Sequence, residues 1–303
     1  MTSAAQPPAR NAAAFSRSLK DHIRNEAKRR GGDTGQLRRA FFLQRFLTRI
    51  FSETGDRWLL KGGAALLVRL PDARYSRDID LLHTTAAIEE ALAELAAIAR
   101  APSDLDPFQF IMATPKLMTS DVAGARVKVD VYYGTTHLEQ FPIDLSTELV
   151  PIGEVDYQSP TPVAAIDGLA PMPTFALYPL AQQISDKVCA MYERHNGQPS
   201  TRYHDLVDLI LIVTTWSIDA TTTRAALHHE SARRGLTLPS VVASPAPSWT
   251  AGYARIAKDV AAVPENALDI TSALHILSTC LNPLFQDSEQ EGSWNPKTQH
   301  WSS

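Results

Sequence analysis

The chain has 303 residues, of which 44% are hydrophobic and 20% charged, a composition ordinary for a soluble globular protein of one large domain or two smaller ones. It contains no apolar run of the roughly 18–20 residues that a membrane span needs, and its polar first ten residues lack the apolar core of a secretory signal. Its two cysteines, Cys189 and Cys280, exclude a disulfide framework and a four-cysteine zinc site. We therefore expect a cytoplasmic protein with no membrane partner.

The net charge of −4 is unevenly distributed along the chain. Residues 1–50 hold eleven lysines and arginines against three acids, a net charge of +8, so the other 253 residues must sum to −12. A basic segment on an acidic body favours a polyanionic partner such as RNA or DNA, although solvated helix faces would give the same pattern. The candidate RNA-binding residues in this segment are Arg29, Arg30, Arg38 and Arg39.

The first half of the chain alternates between predicted helices and short strands. A basic stretch over 12–30 is predicted to be helical and to end at Gly31-Gly32. Helical spacing of apolar residues predicts a second helix over 34–52, begun by a capping box of Asp33 and Gln36. A strand over 57–60 leads into Lys61-Gly62-Gly63 and a helix over 64–69. Further on, we predict a helix over 85–100 and strands over 78–82, 108–113, 125–133 and 141–145.

From Pro179 onward the sequence is predicted to be helical, with helices over 179–194, 202–216, 220–234, 249–262 and 265–281. This change of pattern divides the chain into a lobe over 11–175, with basic leading helices, and a helical C-terminal lobe over 176–286. Residues 1–10 and the polar tail over 287–303 are expected to be disordered.

The Gly62-Gly63 pair lies between a predicted strand and a predicted helix. Glycines let the backbone turn sharply and approach a ligand closely, and the N-terminus of the following helix offers N–H groups to a phosphate. The same pair is also compatible with a plain strand-to-helix turn. The candidate nucleotide-binding residues around this turn and the next strand are Lys61, Gly62, Gly63, Ser76 and Arg77.

The strand after this turn carries two acids, Asp78 and Asp80. Residues i and i+2 of a strand point to the same face, so the two carboxylates lie side by side. Because neighbouring carboxylates repel each other, a cation is expected to hold them together. Mg²⁺ (or Mn²⁺) commonly binds one or two carboxylates together with substrate phosphates, which predicts a metal and nucleotide site.

A third acid, Asp130, lies on a strand in which polar and apolar residues alternate, on the same face as Lys128. If this strand neighbours the Asp78/Asp80 strand, Asp130 completes a set of three carboxylates able to hold two metal ions. Alternatively, Asp130 is a polar-face residue paired with Lys128.

Two blocks of residues carry a family resemblance. Gly62-Gly63-Ala64 followed by Arg77-Asp78-Ile79-Asp80 resembles the first motif of the polymerase-β-like nucleotidyltransferase superfamily. Residues 187–194 match the Lys-x-x-Ala-x-x-x-Arg helix of its AbiEii group, the toxins of type IV toxin–antitoxin pairs that include the mycobacterial MenT toxins. Residues 204–209 resemble the group's Arg-Asp-x-x-Asp-Leu helix, with His204 in the arginine position.

The second block implies further site residues. Lys187 and Arg194 share a helical face and, by resemblance, would bind the nucleotide or stabilise charge in the transition state. Asp205 would orient Lys187 or another polar group in the cleft. Without the resemblance, Lys187 could be an exposed lysine and Asp208 a helix-surface acid.

The resemblance implies an α+β fold: a polymerase-β-like nucleotidyltransferase core, built as a small mixed sheet flanked by helices, with a helical C-terminal lobe. The cleft between the lobes would bind an NTP and Mg²⁺ (or Mn²⁺). The enzyme would transfer a nucleoside monophosphate to RNA, with a tRNA 3′ end as acceptor, as a toxin opposed by a cognate antitoxin protein or gene. Three alternatives stay open: a metal-dependent nuclease, an antibiotic or small-molecule nucleotidyltransferase, and a non-catalytic nucleic-acid-binding module.

Overall fold

The computed structural model describes residues 12–53, 55–118, 123–285 and 290–302. The chain forms two compact units, a first unit of residues 1–69, 75–149 and 157–176 and a second unit of residues 70–74, 150–156 and 177–303. The chain therefore enters the second unit twice before residue 177, at residues 70–74 and 150–156. The expected division at residue 175 had a single crossing. The residues expected to be disordered at 1–10 lie outside the described ranges. Within those ranges, the structure contains no helix both long and apolar enough to cross a membrane.

The first unit is built from helices and a mixed sheet. Its helices are α1 (Ala12–Arg30), α2 (Thr34–Glu53), α3 (Gly62–Arg69) and α4 (Ile88–Arg100). The strands of the sheet are β1 (Trp58–Lys61), β2 (Ile79–His83), β3 (Gln109–Met112), β4 (Lys116–Met118), β5 (Gly124–Tyr133), β6 (Thr136–Ser146), β7 (Asp156–Gln158) and β8 (Phe175–Leu177). The expected start of α2 is confirmed, because the Asp33 carboxylate accepts a hydrogen bond from the Gln36 N–H at 2.8 Å.

The sheet has the order β3-β5-β6-β2-β1-β8-β7, and β4 pairs with β5. Strand β2 runs parallel to β6 and antiparallel to β1, and β5 runs antiparallel to β6, so the sheet is mixed as expected. One face of the sheet is apolar and buried. It carries Ile79 and Leu81 of β2, and Ile143 and Leu145 of β6, all less than 1% exposed.

Helix α2 covers this buried face. Its Phe46 ring contacts Phe110 of β3 and Phe141 of β6, with ring centroids 5.0 and 5.8 Å apart. Two of its arginines are buried rather than solvated: Arg49 donates hydrogen bonds to Asp106, and Arg45 donates to backbone carbonyls. The positive charge of the N-terminal segment is therefore not all available to a partner.

The second unit is mainly helical, with α5 (Leu180–Tyr192), α6 (Tyr203–Thr215), α7 (Ala220–Arg233), α8 (Trp249–Ala257) and α9 (Ile270–Phe285). Its short strands are β9 (Arg194–His195), β10 (Gln198–Pro199), β11 (Ile218–Asp219), β12 (Ser293–Asn295) and β13 (His300–Ser302).

The prediction of a disordered tail over 287–303 is wrong for residues 290–302. Strands β12 and β13 form a hairpin that pairs with β11. Trp294 is fully buried and its indole N–H donates to the Val213 carbonyl at 2.7 Å, while the Trp301 indole donates to Cys280. Two large aromatic side chains order a segment that is otherwise polar.

A three-carboxylate cluster as candidate active site

Three carboxylates converge on the face of the sheet opposite the α2 layer. One oxygen from each of Asp78, Asp80 and Asp144 lies within 4.8 Å of the others, and all three residues are partly exposed. Asp80 of β2 pairs in parallel register with Asp144 of β6, so their side chains project side by side. The Ser76 hydroxyl, which is buried, donates to the Asp78 carboxylate at 2.9 Å and fixes its orientation.

The third carboxylate beside Asp78 and Asp80 is Asp144 rather than the expected Asp130. The strand that neighbours β2 on this side is β6 rather than β5, so Asp130 of β5 does not lie beside Asp80. Asp130 instead accepts one hydrogen bond from the Gln140 side-chain amide and contacts the His137 ring nitrogen Nε2, both at 2.9 Å. The sequence held a signal for Asp144: the tripeptide Ile143-Asp144-Leu145 repeats Ile79-Asp80-Leu81, and the two copies pair residue for residue.

The first glycine of the Gly62-Gly63 pair makes room for Asp80. Gly62 has φ +62°, and a Cβ at this position would lie 1.9 Å from the Asp80 carboxylate oxygen Oδ2. Since Gly62 is also the first residue of α3, the positive end of that helix lies against the Asp80 carboxylate. Residue 62 must therefore be glycine for two reasons: the backbone has a positive φ, and the Asp80 carboxylate leaves no room for a Cβ.

The electrostatics of Asp144 favour a cation at the cluster. Its Oδ1 atom is buried without a hydrogen-bond partner, although Arg126 Nε lies 3.5 Å away. Burial raises the pKa of the Asp144 carboxyl above its usual range; Arg126 opposes this shift and Asp78 adds to it. An unsatisfied carboxylate oxygen beside two further carboxylates matches the oxygen-donor set that hard divalent cations prefer, so the residues present fit such an ion.

The remaining candidates of the first unit surround this cluster. Lys61 pairs with Asp80 in the β1–β2 register, Gly63 is buried in the first turn of α3, and Arg77 is exposed immediately before Asp78. Ala64, which follows the two glycines, is buried.

A separate ionic network lies in the second unit. Lys187 of α5 is 5% exposed, and its ammonium donates to Asp205 at 3.2 Å and to Asp208 at 2.5 Å. Arg74 donates to both oxygens of Asp208, and Arg202 donates to Asp205 at 2.6 Å. The expected contact between Lys187 and Asp205 is present, whereas an exposed Lys187 and a surface Asp208 are both wrong.

Charge compensation explains how this network stays ionised. Burial alone would raise the pKa of Asp205, but Lys187 and Arg202 outweigh it and lower that pKa to about 2. Burial also lowers the pKa of His204, so its imidazole is neutral near pH 7. The guanidinium next to Asp205 belongs to Arg202, which lies two residues before His204, the position where the motif resembled by this segment has arginine.

Arg194 does not share a helical face with Lys187. Helix α5 ends at Tyr192, and Arg194 is an exposed residue of the β9–β10 hairpin whose guanidinium donates to the Gly197 carbonyl. The hairpin turns through Asn196 and Gly197, which both have positive φ. Asn-Gly is a strong sequence signal for such a turn and predicts this end of the helix.

The arginines predicted to bind RNA are engaged within the first unit; they are Arg29, Arg30, Arg38 and Arg39. The first two share the Glu26 carboxylate on α1, and the second two share Glu139 of β6. Glu139 pairs in register with Val131, which belongs to the buried face of the sheet. Arg38 and Arg39 therefore reach the sheet from the side opposite the carboxylate cluster.

The mixed sheet presents three carboxylates beside the Gly-Gly start of a helix, the arrangement expected of a nucleotidyltransferase. The sequence pattern of one family, described as "Nucleotidyl transferase AbiEii toxin, Type IV TA system", matches residues 45–275. Because this match spans most of the chain, the protein belongs to the AbiEii nucleotidyltransferase toxin family and is a nucleotidyltransferase. The family resemblance inferred from the two motifs is thereby confirmed.

Solved structures of similar fold include MenT4, a nucleotidyltransferase toxin of Mycobacterium tuberculosis. It aligns with a TM-score of 0.51 and 15% identity over 88% of this chain and 99% of its own. The protein JHP933 of Helicobacter pylori aligns with a TM-score of 0.45 and 16% identity over 84% of this chain and 94% of its own. A comparison with curated protein sequences finds no match. The likeness to MenT4 supports the fold.

Proposed function

We propose that this protein transfers a nucleoside monophosphate from an NTP to the terminal hydroxyl of an RNA, with a tRNA 3′ end as the acceptor. Asp78, Asp80 and Asp144 would hold the Mg²⁺ (or Mn²⁺) that the reaction uses. The observation that carries this proposal is the convergence of the three carboxylates, one of them with an unsatisfied buried oxygen, on the core of a nucleotidyltransferase family.

The proposed reaction forms one bond and breaks one. The acceptor hydroxyl oxygen attacks the α-phosphorus of the NTP, the bond from that phosphorus to the bridging oxygen breaks, pyrophosphate leaves, and the hydroxyl proton passes to water. A bound divalent cation would supply Lewis-acid stabilisation of the charge that develops on the phosphate oxygens. Ser76 holds Asp78 in place, and Gly62 leaves the space that Asp80 occupies.

Cationic residues of the two units are proposed to bind the triphosphate. Lys61 pairs with Asp80 in the sheet, and Arg77 directly precedes Asp78 in the chain. Their positive charges would compensate the negative charge of a bound polyphosphate. The N-terminus of α3 at Gly62 and Gly63 adds its N–H groups. In the second unit, Lys187 is proposed as a phosphate-binding cation and Asp205 as the group that orients it, a role that their hydrogen bond supports.

Membership of a type IV toxin family implies a cognate antitoxin. We propose that the antitoxin is a protein or gene encoded beside the toxin and that its loss exposes the RNA acceptor to modification. The arginines on α1 and α2 remain predicted RNA contacts: Arg29, Arg30, Arg38 and Arg39.

The test uses total RNA, Mg²⁺ and each α-labelled NTP in turn, beside an Asp80→Ala variant. We expect label from one NTP in one RNA size class, and no label with the variant. RNA shortened without any NTP would indicate a nuclease instead. Absence of both label and cleavage would reject an RNA acceptor, and NTP binding would then separate a small-molecule transferase from a binding module.

A further inference from the structure

The face of the sheet that carries the carboxylates continues to the edge of the sheet as a basic surface. In the strand register, Asp80 pairs with Asp144, Asp144 with Arg126, and Arg126 with Lys116. Paired residues in a sheet project to the same face, so these side chains form one row across β2, β6, β5 and β4. Lys128, two residues after Arg126 on β5, faces the same way.

These three cations are exposed. The Arg126 side chain is 53% exposed, and Lys116 and Lys128 are exposed as well. Neighbouring strands lie about 4.8 Å apart, which places Arg126 about 5 Å and Lys116 about 10 Å from Asp144 along the row. Positive charge therefore begins beside the carboxylates and extends away from them in one direction.

Exposed apolar side chains accompany the cations. Ile111 of β3 is 52% exposed and pairs with Asp130, and Met118 of β4 is 41% exposed and pairs with Gly124. Both register partners lie on the same face as Arg126 and Lys128. Surfaces that bind single-stranded nucleic acids combine cations, which contact the phosphates, with exposed non-polar side chains, most often aromatic, which contact the faces of unstacked bases. Here the cations are present and the non-polar contacts would come from aliphatic side chains.

We infer that Lys116, Arg126 and Lys128, with Ile111 and Met118, form the surface that holds the single-stranded end of the polynucleotide acceptor. This inference rests on the proposed function and names the part of the protein that receives the acceptor. A terminal hydroxyl can reach the carboxylates only if the phosphates that precede it lie over the adjoining surface. This side of the cluster offers those phosphates three cations, whereas Arg38 and Arg39 approach the sheet from its other face.

The experiment compares the full-length protein with a variant that carries Lys116→Gln and Lys128→Gln, neither of which contacts the carboxylates in the strand register. Arg126 is left unchanged because it neighbours Asp144. The control variant carries Arg100→Gln and Lys258→Gln, which removes the same charge from two exposed positions elsewhere. Thermal unfolding verifies that both variants are folded.

Binding is measured by fluorescence anisotropy with a 5′-labelled single-stranded oligoribonucleotide over a range of salt concentrations. We expect the double variant to lose affinity on the order of 10-fold at about 0.1 M salt, and its log-affinity against log-salt slope to become shallower by about 1.4. An oligonucleotide with a blocked 3′ end should bind equally well, because the contacts precede the terminus. The control variant should match the wild type.

Unchanged RNA affinity and an unchanged salt slope in the double variant would overturn the inference and would leave this face to another partner, such as an acidic protein. The inference and the proposed function fail in different ways. If the wild type binds RNA through these lysines but transfers no nucleotide from any NTP, the surface stands and the proposed transfer is wrong. If transfer occurs with equal acceptor KM in wild type and double variant, the transfer stands and the surface is wrong.

Discussion

The Asp80 carboxylate fills the space that a side chain on residue 62 would need: a Cβ added to Gly62 would lie 1.9 Å from the Asp80 Oδ2 atom. We therefore expect Gly62→Ala to displace the Asp80 carboxylate and to reduce nucleotide transfer about 100-fold or more, because small misplacements of catalytic groups cost about that much. The same change should cost about 1–2 kcal/mol of stability from the left-handed backbone.

Gly31→Ala is the matched control for Gly62→Ala. Gly31 has nearly the same backbone, at φ +64°, but no atom lies within 4 Å of its added Cβ. It should show the stability loss without the loss of transfer, as judged by thermal unfolding and label incorporation. Equal rates of nucleotide transfer by the two variants would show that the close approach of residue 62 to Asp80 does not affect activity.

The buried network of the second unit predicts a ranking of two substitutions. Lys187→Met leaves Asp205 with Arg202 and Asp208 with Arg74, so we expect a loss of only about 2 kcal/mol. Asp208→Asn removes the negative charge that lies between Lys187 and Arg74. Loss of one partner from a buried ion pair typically lowers the free energy of unfolding by about 3–5 kcal/mol. Chemical denaturation measures both, with Lys258→Gln as the neutral control. A larger loss for Lys187→Met would mean that the arginines do not compensate.

The depressed pKa of Asp205 predicts how this network responds to acid. Its pKa is about 2 in the folded protein against 3.8 when unperturbed, so its stabilising contribution is present above pH 3.8 and is lost as the pH falls towards 2. The difference in unfolding free energy between wild type and Asp205→Asn should therefore shrink by about 2 kcal/mol between pH 5 and pH 2. A difference that stays constant over this range would indicate that Asp205 is not held ionised by its partners.

We expect the C-terminal hairpin of β12 and β13 to contribute to the free energy of unfolding. Trp294 is fully buried, so Trp294→Ala is expected to cost about 3–5 kcal/mol. Lys297→Ala, in the turn of the same hairpin, changes an exposed side chain and should be nearly neutral. Thermal unfolding compares the two, and a neutral Trp294→Ala would restore the expectation of a disordered tail.

The sequence predicted the parts of the site that are local in the chain. Asp78 and Asp80 share a strand face because of their spacing, and Gly62 follows a strand that ends at Lys61. Asp144 was missed because its position depends on which strand neighbours β2, and the pairing of strands distant in sequence is not visible in the alternation of any one strand. Asp130 and Asp144 lie on adjacent strands of similar alternation; the parallel β2–β6 register distinguishes them, and in the sequence only the repeated Ile-Asp-Leu tripeptide hinted at it.

Errors at the ends of elements have a different origin. Arg194 was placed on a helix because its spacing from Lys187 is helical, yet the turn residues Asn196 and Gly197 bring the chain back as a hairpin. The tail was expected to be disordered from its polar composition, whereas Trp294 and Trp301 provide enough buried surface to order it. For the packing of such a segment, single large aromatic residues outweigh its average composition.

The most direct test of the three-carboxylate site is Mn²⁺ binding, measured by electron paramagnetic resonance in the presence of a non-hydrolysable NTP analogue. We predict that the wild type binds Mn²⁺, that Asp144→Asn weakens this binding at least 10-fold, and that Asp130→Asn binds like the wild type. The reverse ranking, with Asp130→Asn defective and Asp144→Asn unchanged, would contradict the site described for Asp78, Asp80 and Asp144.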